Sequence, residues 1–417
     1  MNPASSTRKA RCPELKVPQP ALTLLAFMMA VGPFGDTEYT PAMPAIAHGL
    51  HADYATVQFT MTSYLIGSAI SQLAYGPLSD RFGRRPVMLV GAAILIAGSL
   101  LCLLSFAIWP LIGGRLIQGV GACAGGVIAD AAVRDAFPAE RRQRIYATLN
   151  AAFALAPAIG PVVGTYTAHA FGWHANFGIL VALSIALWLA VWRWLPETKP
   201  DIDRRALEPA RFWRNYVRVL TTRAFLFYSV LGGFSVGVVY AALIGAPDLV
   251  INVLGRGSTA FVIVAVAILI AFVIGVGSCA LLTHRVSHLL IIAIGLGTML
   301  AAALALLAVA LIAGNHGDLA MFLVPIAVAF IGVGMVVPVS TAKAMAPFRR
   351  TAGAAASLLG FIRMGVAALG TLAMSLLHHG SVLDIPIVFL VLSGAAVAVF
   401  TGYLALRGVP AQRRSTR

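Results

Sequence analysis

Blocks of roughly 20 apolar residues recur along the whole chain, separated by short polar segments, and each is long enough to cross a hydrocarbon core of about 30 Å. Continuous blocks of this kind lack the alternation of apolar and polar positions that a membrane β-barrel requires. A soluble fold is excluded as well. Of 417 residues, 59% are hydrophobic and 11% charged, too few charges to clothe a soluble surface. The expected class is an all-α membrane protein with twelve transmembrane helices. Six spans are placed at 21–46, 57–77, 86–107, 110–133, 145–169 and 175–195. Six more are placed at 225–249, 259–282, 287–313, 318–342, 352–378 and 384–406.

Basic residues set the expected orientation. Of 30 Lys and Arg, 27 fall in the N-terminal tail, in or within two residues of the even-to-odd loops, and in the C-terminal tail. Arg256 alone falls in the opposite loops, and Arg115 and Arg363 fall inside spans. This asymmetry predicts both termini in the cytoplasm. The net charge of +15 is therefore a topology signal, and nucleic acid is not an expected partner. The first 20 residues, with Arg8, Lys9, Arg11 and Lys16, form a polar tail, and the block after them is too long for a signal-peptide core.

The longest polar stretch contains PETKPDIDRRALEPARFWRNYVRVL, and its later part has the pattern of an amphipathic interfacial helix. It divides the chain into an N-tail (1–20), a six-helix bundle (21–195), a linker (196–224), a second six-helix bundle (225–406) and a C-tail (407–417). Two sets of six suggest parallel repeats with a site between them. Cys12, Cys102, Cys123 and Cys279 have no metal-ligand spacing. The histidines of the outer loops (His169, His174, His316, His378, His379) do not read as a metal site either. No cofactor is expected, and no nucleotide loop or hydrolase motif is present, so neither ATP-driven pumping nor an enzyme is expected.

Two carboxylates, Asp36 and Glu38, stand within the first span in PFGDTEYTPAMP, residues 33–44. Each charge near a helix centre costs about 2.5–3.5 kcal/mol on insertion scales. At 1.5 Å per residue Asp36 lies ~15 Å and Glu38 ~12 Å from the outer end of span one, with Arg115 of span four about 8 Å from its own outer end. The three charges share the outer half of the membrane. Successive helix residues turn about 100°, so the two acids point roughly 200° apart and cannot both face one cavity from a regular helix. Gly35, Pro41 and Pro44 mark the segment for irregularity. Two readings are open: a static ion pair, or a carboxylate that gains and loses a proton with Arg115 as its modulator. Either acid fits the second.

Arg363, about ten residues into span eleven, is a further intramembrane charge. It reads either as a helix–helix contact or as a cavity group that favours anionic or strongly hydrogen-bonding substrates. Tyr39, Gln58, Tyr64, Gln118, Asn150 and Tyr240 are polar side chains in spans. Each fits the lining of a central cavity or an interhelical hydrogen bond.

Between spans two and three lies YGPLSDRFGRRPVML, residues 75–89. Gly76 and Pro77 end one helix and Pro86 starts the next, while Asp80 is placed to pair with a nearby Arg or to accept from helix-end amides. The string resembles the G-x-L-x-D-R-x-G-R-R loop of the major facilitator superfamily at every fixed position. The resemblance implies a conformational latch made by Gly76, Asp80, Arg81, Gly83, Arg84 and Arg85. Residues 55–86 are similar to the second span of the bicyclomycin/chloramphenicol-resistance group of drug:proton antiporters. RLIQGVGA (115–122), VRDAF (133–137) and GAAASLLGF (353–361) resemble further stretches of that group. APAIGPVVG (156–164) is similar to the fifth-span antiporter motif, with Gly160, Pro161 and Gly164 in place but Ala151 and Ala156 where glycines are usual. In the first span Tyr39, Pro41, Ala42 and Pro44 match the group, whereas Thr37 holds its Asp position.

The resemblance implies a proton-coupled efflux antiporter. It would be a monomer in a bacterial inner membrane, exchanging protons for small amphipathic molecules by rocking two bundles about a midplane site. A proton symporter, or an exporter of one endogenous metabolite, would share the fold.

Overall fold

Glycines with positive φ mark sharp turns between helices. Gly83 (φ 95°) ends one helix and begins the next, and Gly172 (φ 82°) ends another. In the computed structural model the described residues are 18–199, 202–203, 207–348, 351–377 and 380–408. Most of the N-tail with its four basic residues and Cys12, nearly all of the C-tail, parts of the linker, and His378 and His379 lie outside them.

The first half contains α1 (Leu22–Thr37), α2 (Met43–Gly49), α3 (Tyr54–Phe82), α4 (Arg84–Leu103), α5 (Ile108–Ala136), α6 (Ala139–Phe171) and α7 (His174–Trp194). An amphipathic helix, α8 (Pro209–Leu220), follows where the linker pattern predicts one, and its Tyr216 hydroxyl donates to the Leu73 carbonyl at 3.0 Å. The second half contains α9 (Arg223–Pro247), α10 (Gly257–Leu282), α11 (His288–Ala313), α12 (Leu319–Met345), α13 (Ala352–Leu376) and α14 (Asp384–Gly408).

Among the described residues ten helices are long and apolar enough to cross a membrane. The first two expected spans depart from that plain pattern for separate reasons. Span one is broken. Pro41 has no N–H to offer the Thr37 carbonyl, which accepts instead from the Thr40 hydroxyl at 2.8 Å, and a 3-10 turn (Thr40–Ala42) links α1 to α2. Helix α3 is unbroken but carries buried Gln58, Thr60, Thr62, Ser63, Ser68 and Ser71, because it packs on α5 on one side and on α13 of the other half on another.

Helices α1 and α3–α7 pack mainly on one another, as do α9–α14, while α3 with α13 and α6 with α10 form the seam between the two sets. Small residues permit close approach where lipid supplies no hydrophobic drive. On the α3–α5 face a Cβ on Gly67 would overlap the Leu116 carbonyl, and one on Gly119 would overlap that of Tyr64. Cys102, Cys123 and Cys279 are free and buried in their helices.

Candidate functional site

A cavity of about 730 Å³ lies at the seam. Its inner part is lined by Asp36 and Tyr64 from one helix set and by Tyr240 and Arg363 from the other. Asn150 also lines it, and Asp80 and Arg84 line it toward the Arg-rich end of the bundle. At the opposite end the two sets are tied together. The Gln58 amide donates to the Ile244 carbonyl at 3.1 Å, the Thr62 and Thr371 hydroxyls lie 2.8 Å apart, and the His169 ring and Ser258 hydroxyl lie 3.2 Å apart. The cavity is thus accessible from the basic end and sealed at the other.

The helix break separates the two carboxylates. Asp36 occupies the last turn of α1, is 6% exposed and faces the cavity. Its Oδ2 accepts from the Tyr240 hydroxyl at 2.7 Å, and its Oδ1 has no partner. Glu38 lies just past the helix end, fully buried and away from the cavity lining, with both carboxylate oxygens unpartnered. Its backbone carbonyl accepts from Asn176 of α7 at 3.2 Å.

Arg115 is fully buried and makes no ion pair within 4.0 Å among the described residues. Its guanidinium stacks on Tyr39 at 4.1 Å and on Tyr64 at 4.3 Å, and donates to the Gly35 carbonyl at 3.1 Å and to Gln118. It therefore grips the backbone next to Asp36 rather than the carboxylate itself. Tyr39, Gln58 and Gln118 are buried outside the cavity lining. Tyr39 meets Thr60 at 3.0 Å, Gln118 meets Ser99 at 2.9 Å, and Gln58 belongs to the sealed end. Tyr64, Asn150, Tyr240 and Arg363 do line the cavity.

The α3–α4 loop residues gather into an ionic knot. Buried Arg84 donates to Asp80 and to Asp135 of α5, both at 2.8 Å, and to Ser79. Lys199 of the linker reaches Asp80 at 2.7 Å. Glu197 caps the start of α4 by accepting from the Arg84 and Arg85 amides at 2.9 and 3.2 Å. Arg85 also donates to the Trp192 carbonyl, while Arg81 is exposed and lies over Phe82. Gly76 faces Ser357 of α13, where a Cβ would come within 3.1 Å. Asp135, Glu197 and Lys199 join the loop only in the folded chain. Asp135 lies within the VRDAF string, which was the available signal, whereas nothing local marks Glu197 or Lys199.

Asp80 lies beyond the expected end of its span. Burial pushes its carboxyl up, but the hydrogen bond from Lys199 and the charges of Arg84 and Lys199 outweigh burial and leave it below the ordinary value. A lowered folded-state pKa stabilises the fold above the unfolded value, and this contribution is lost as pH falls through the folded one. The gap in thermal midpoint between the native protein and Asp80→Asn in detergent should therefore hold from neutral pH to about pH 5 and close at lower pH. A gap that widened on acidification would show that the ion pairs do not hold the loop.

The antiporter-motif residues lie in α6 against the broken part of span one. A Cβ on Gly160 would overlap the Thr37 hydroxyl and one on Gly164 the Glu38 carbonyl, with Pro161 between them inside the helix.

A polytopic α-helical bundle with a polar, charged cavity at the seam of its two helix sets has the build of a membrane carrier. The chain belongs to the Major Facilitator Superfamily, whose family model matches residues 22–371. It is 31% identical over 365 residues to multidrug resistance protein D of Escherichia coli (strain K12), covering 86% of this chain and 89% of that protein. It is 29% identical over 369 residues to a chloramphenicol resistance protein of Pseudomonas aeruginosa, covering 86% of each. The fold matches a crystal structure of a POT family transporter in complex with 5-aminolevulinic acid, with TM-score 0.73 and 14% identity over 94% of this chain and 98% of that one.

Proposed function

We propose that the chain is a proton-coupled exporter of small amphipathic molecules in a bacterial inner membrane. Both termini and the open end of the cavity would face the cytoplasm, and Asp36 would carry the proton. The single observation that carries this reading is the Tyr240–Asp36 hydrogen bond, which joins the two helix sets inside the cavity through one carboxylate. A charged carboxylate accepts a strong, charge-assisted hydrogen bond. Protonation weakens that bond and loosens α9 from α1, so proton occupancy is read directly as bundle contact. Glu38 lacks cavity access and stays a structural group in this scheme. The relatives named for multidrug and chloramphenicol resistance support efflux of drug-like compounds. The basic end supports the orientation. A proton entering down ~100 mV supplies about 2.3 kcal/mol, enough for roughly a 50-fold concentration ratio.

The test uses purified protein in liposomes loaded with a pH-sensitive dye. An imposed pH jump is combined with amphipaths of negative, neutral and positive charge, chloramphenicol among them. The native protein and Glu38→Gln should couple proton and solute fluxes, whereas Asp36→Asn should lose proton-driven accumulation and keep only downhill exchange. Undiminished proton-driven flux in Asp36→Asn would refute the assignment.

A further inference from the structure

Arg363 of α13 lines the cavity, and in the present structure its guanidinium is only partly used. One Nη donates to the Thr341 hydroxyl at 2.6 Å and, at 3.5 Å, to the Val337 carbonyl; Nε has no partner. No carboxylate lies within 4.0 Å of it among the described residues. This differs from the two buried arginines, Arg84 and Arg115. Arg84 is fastened to two aspartates, and Arg115 is sandwiched between two tyrosine rings. Nε is buried against Gly232, whereas the second Nη makes no hydrogen bond among the described residues. An intramembrane cation is costly unless paired, so a guanidinium with that Nη left over in a cavity is a place for an anion from outside the chain.

Position matters as much as charge. Arg363 packs against Gly232 of α9, where a Cβ would come within 3.0 Å of its Nη. Tyr240, which holds Asp36, stands eight residues further along the same helix, about 12 Å at 1.5 Å per residue. The Arg363 group therefore sits between the basic mouth and the Asp36–Tyr240 pair. The same cavity has apolar lining, including Met29, Pro33, Ala122, Phe153, Leu359 and Met364. The other acids that line the cavity, Asp80, Asp130 and Asp203, come from the basic-end portion of the chain's helices and linker.

We infer that the preferred substrates are amphipathic organic anions. A carboxylate, sulfonate or phosphate group would be received by Arg363, and an apolar body by the apolar part of the cavity wall. This rests on the export reading above and narrows it from amphipaths in general to those with one negative charge. The uncommitted Nη offers charged N–H donors to such a group, while Thr341, which donates to the Val337 carbonyl at 2.6 Å and accepts from Arg363, holds the guanidinium in place. Hydrogen bonds to a charged partner are individually worth roughly 10- to 100-fold in affinity.

The test is equilibrium binding to the full chain in detergent, followed by calorimetry. The probes share one apolar body: 1-naphthaleneacetic acid, 1-naphthaleneacetamide and 1-naphthylmethylamine. The native protein should bind the acid roughly 10-fold or more tightly than either other probe. Arg363→Gln should erase that preference while changing amide binding by less than about threefold, and Arg363→Lys, which keeps the charge, should retain part of it. Thermal midpoints and gel-filtration profiles of both variants report whether they fold, and Arg363→Lys keeps the test decisive if Arg363→Gln does not. Equal or tighter binding of amide or amine, an unchanged preference in Arg363→Gln, or no binding of any probe at millimolar concentration would overturn the assignment. No gradient is used, so failure here leaves the proton-coupling result standing, and failure of coupling leaves this measurement unaffected.

Discussion

Gly164→Val is expected to yield protein that does not survive detergent extraction as a single species. Gly164→Ala should lower stability by about 1–3 kcal/mol, the range typical of overpacking. The reason lies in the approach of two backbones. A Cβ at this position of α6 would overlap the carbonyl oxygen of Glu38, and no side-chain rotation relieves a clash with main chain. The same carbonyl accepts from Asn176, so moving it aside breaks a buried hydrogen bond between span one and α7. Relief requires shifting the broken segment of span one, and Asp36 with it, away from α6. Transport should fall with stability, because that shift also disturbs the Asp36–Tyr240 distance of 2.7 Å. Thermal unfolding in detergent checks the first effect and the liposome assay the second. An unchanged midpoint in Gly164→Ala would mean that the helices have room to spare.

Arg115→Met should be the most damaging side-chain replacement, with a loss of about 3 kcal/mol or more and no measurable transport. Three contributions vanish together: two desolvated cation–π contacts, each worth up to about 2 kcal/mol, and hydrogen bonds from a charged donor worth about 1.5–3 kcal/mol. The Gly35 carbonyl loses a donor next to Asp36, and Gln118 loses its charged neighbour. Arg115→Lys should rescue little. An ammonium cannot lie flat between Tyr39 and Tyr64 at 4.1 and 4.3 Å while also reaching both oxygens. Chemical denaturation or thermal unfolding of the two variants beside the native protein checks this. Full rescue by Lys would show that charge alone matters and that the stacked geometry is incidental.

Different levels of organisation were legible to different degrees. Spans three to twelve were readable because an apolar block of that length has few alternatives, and boundaries moved where a helix runs on into polar residues, as α6 does in beginning at Ala139. The break in span one was signalled by Gly35, Pro41 and Pro44, and it resolves the geometric conflict between Asp36 and Glu38 that a regular helix would have imposed. Arg84 was visible in its loop, but its partner Asp135 lies 51 positions away, and Glu197 more than 110 positions away. Pairings at such separations leave no local pattern. Tyr39, Gln58 and Gln118 carried the same polar signature as Tyr64 and Tyr240, yet only the last two face the cavity. Residue type marks a polar group inside the membrane; helix rotation decides what it meets.

The amino-acid sequence by itself determined that this chain crosses the membrane as helices, which end is basic, and that two acids and two arginines are held where they are costly. These follow from composition and spacing, because the bilayer penalises each exposed polar group whatever its neighbours. Only the tertiary structure decided that Asp36 rather than Glu38 meets the cavity, that Arg115 holds tyrosines and a carbonyl instead of a carboxylate, and that Arg363 keeps an open donor. Those outcomes depend on contacts between helices far apart in the chain, and a one-dimensional pattern does not record the rotation that brings them together.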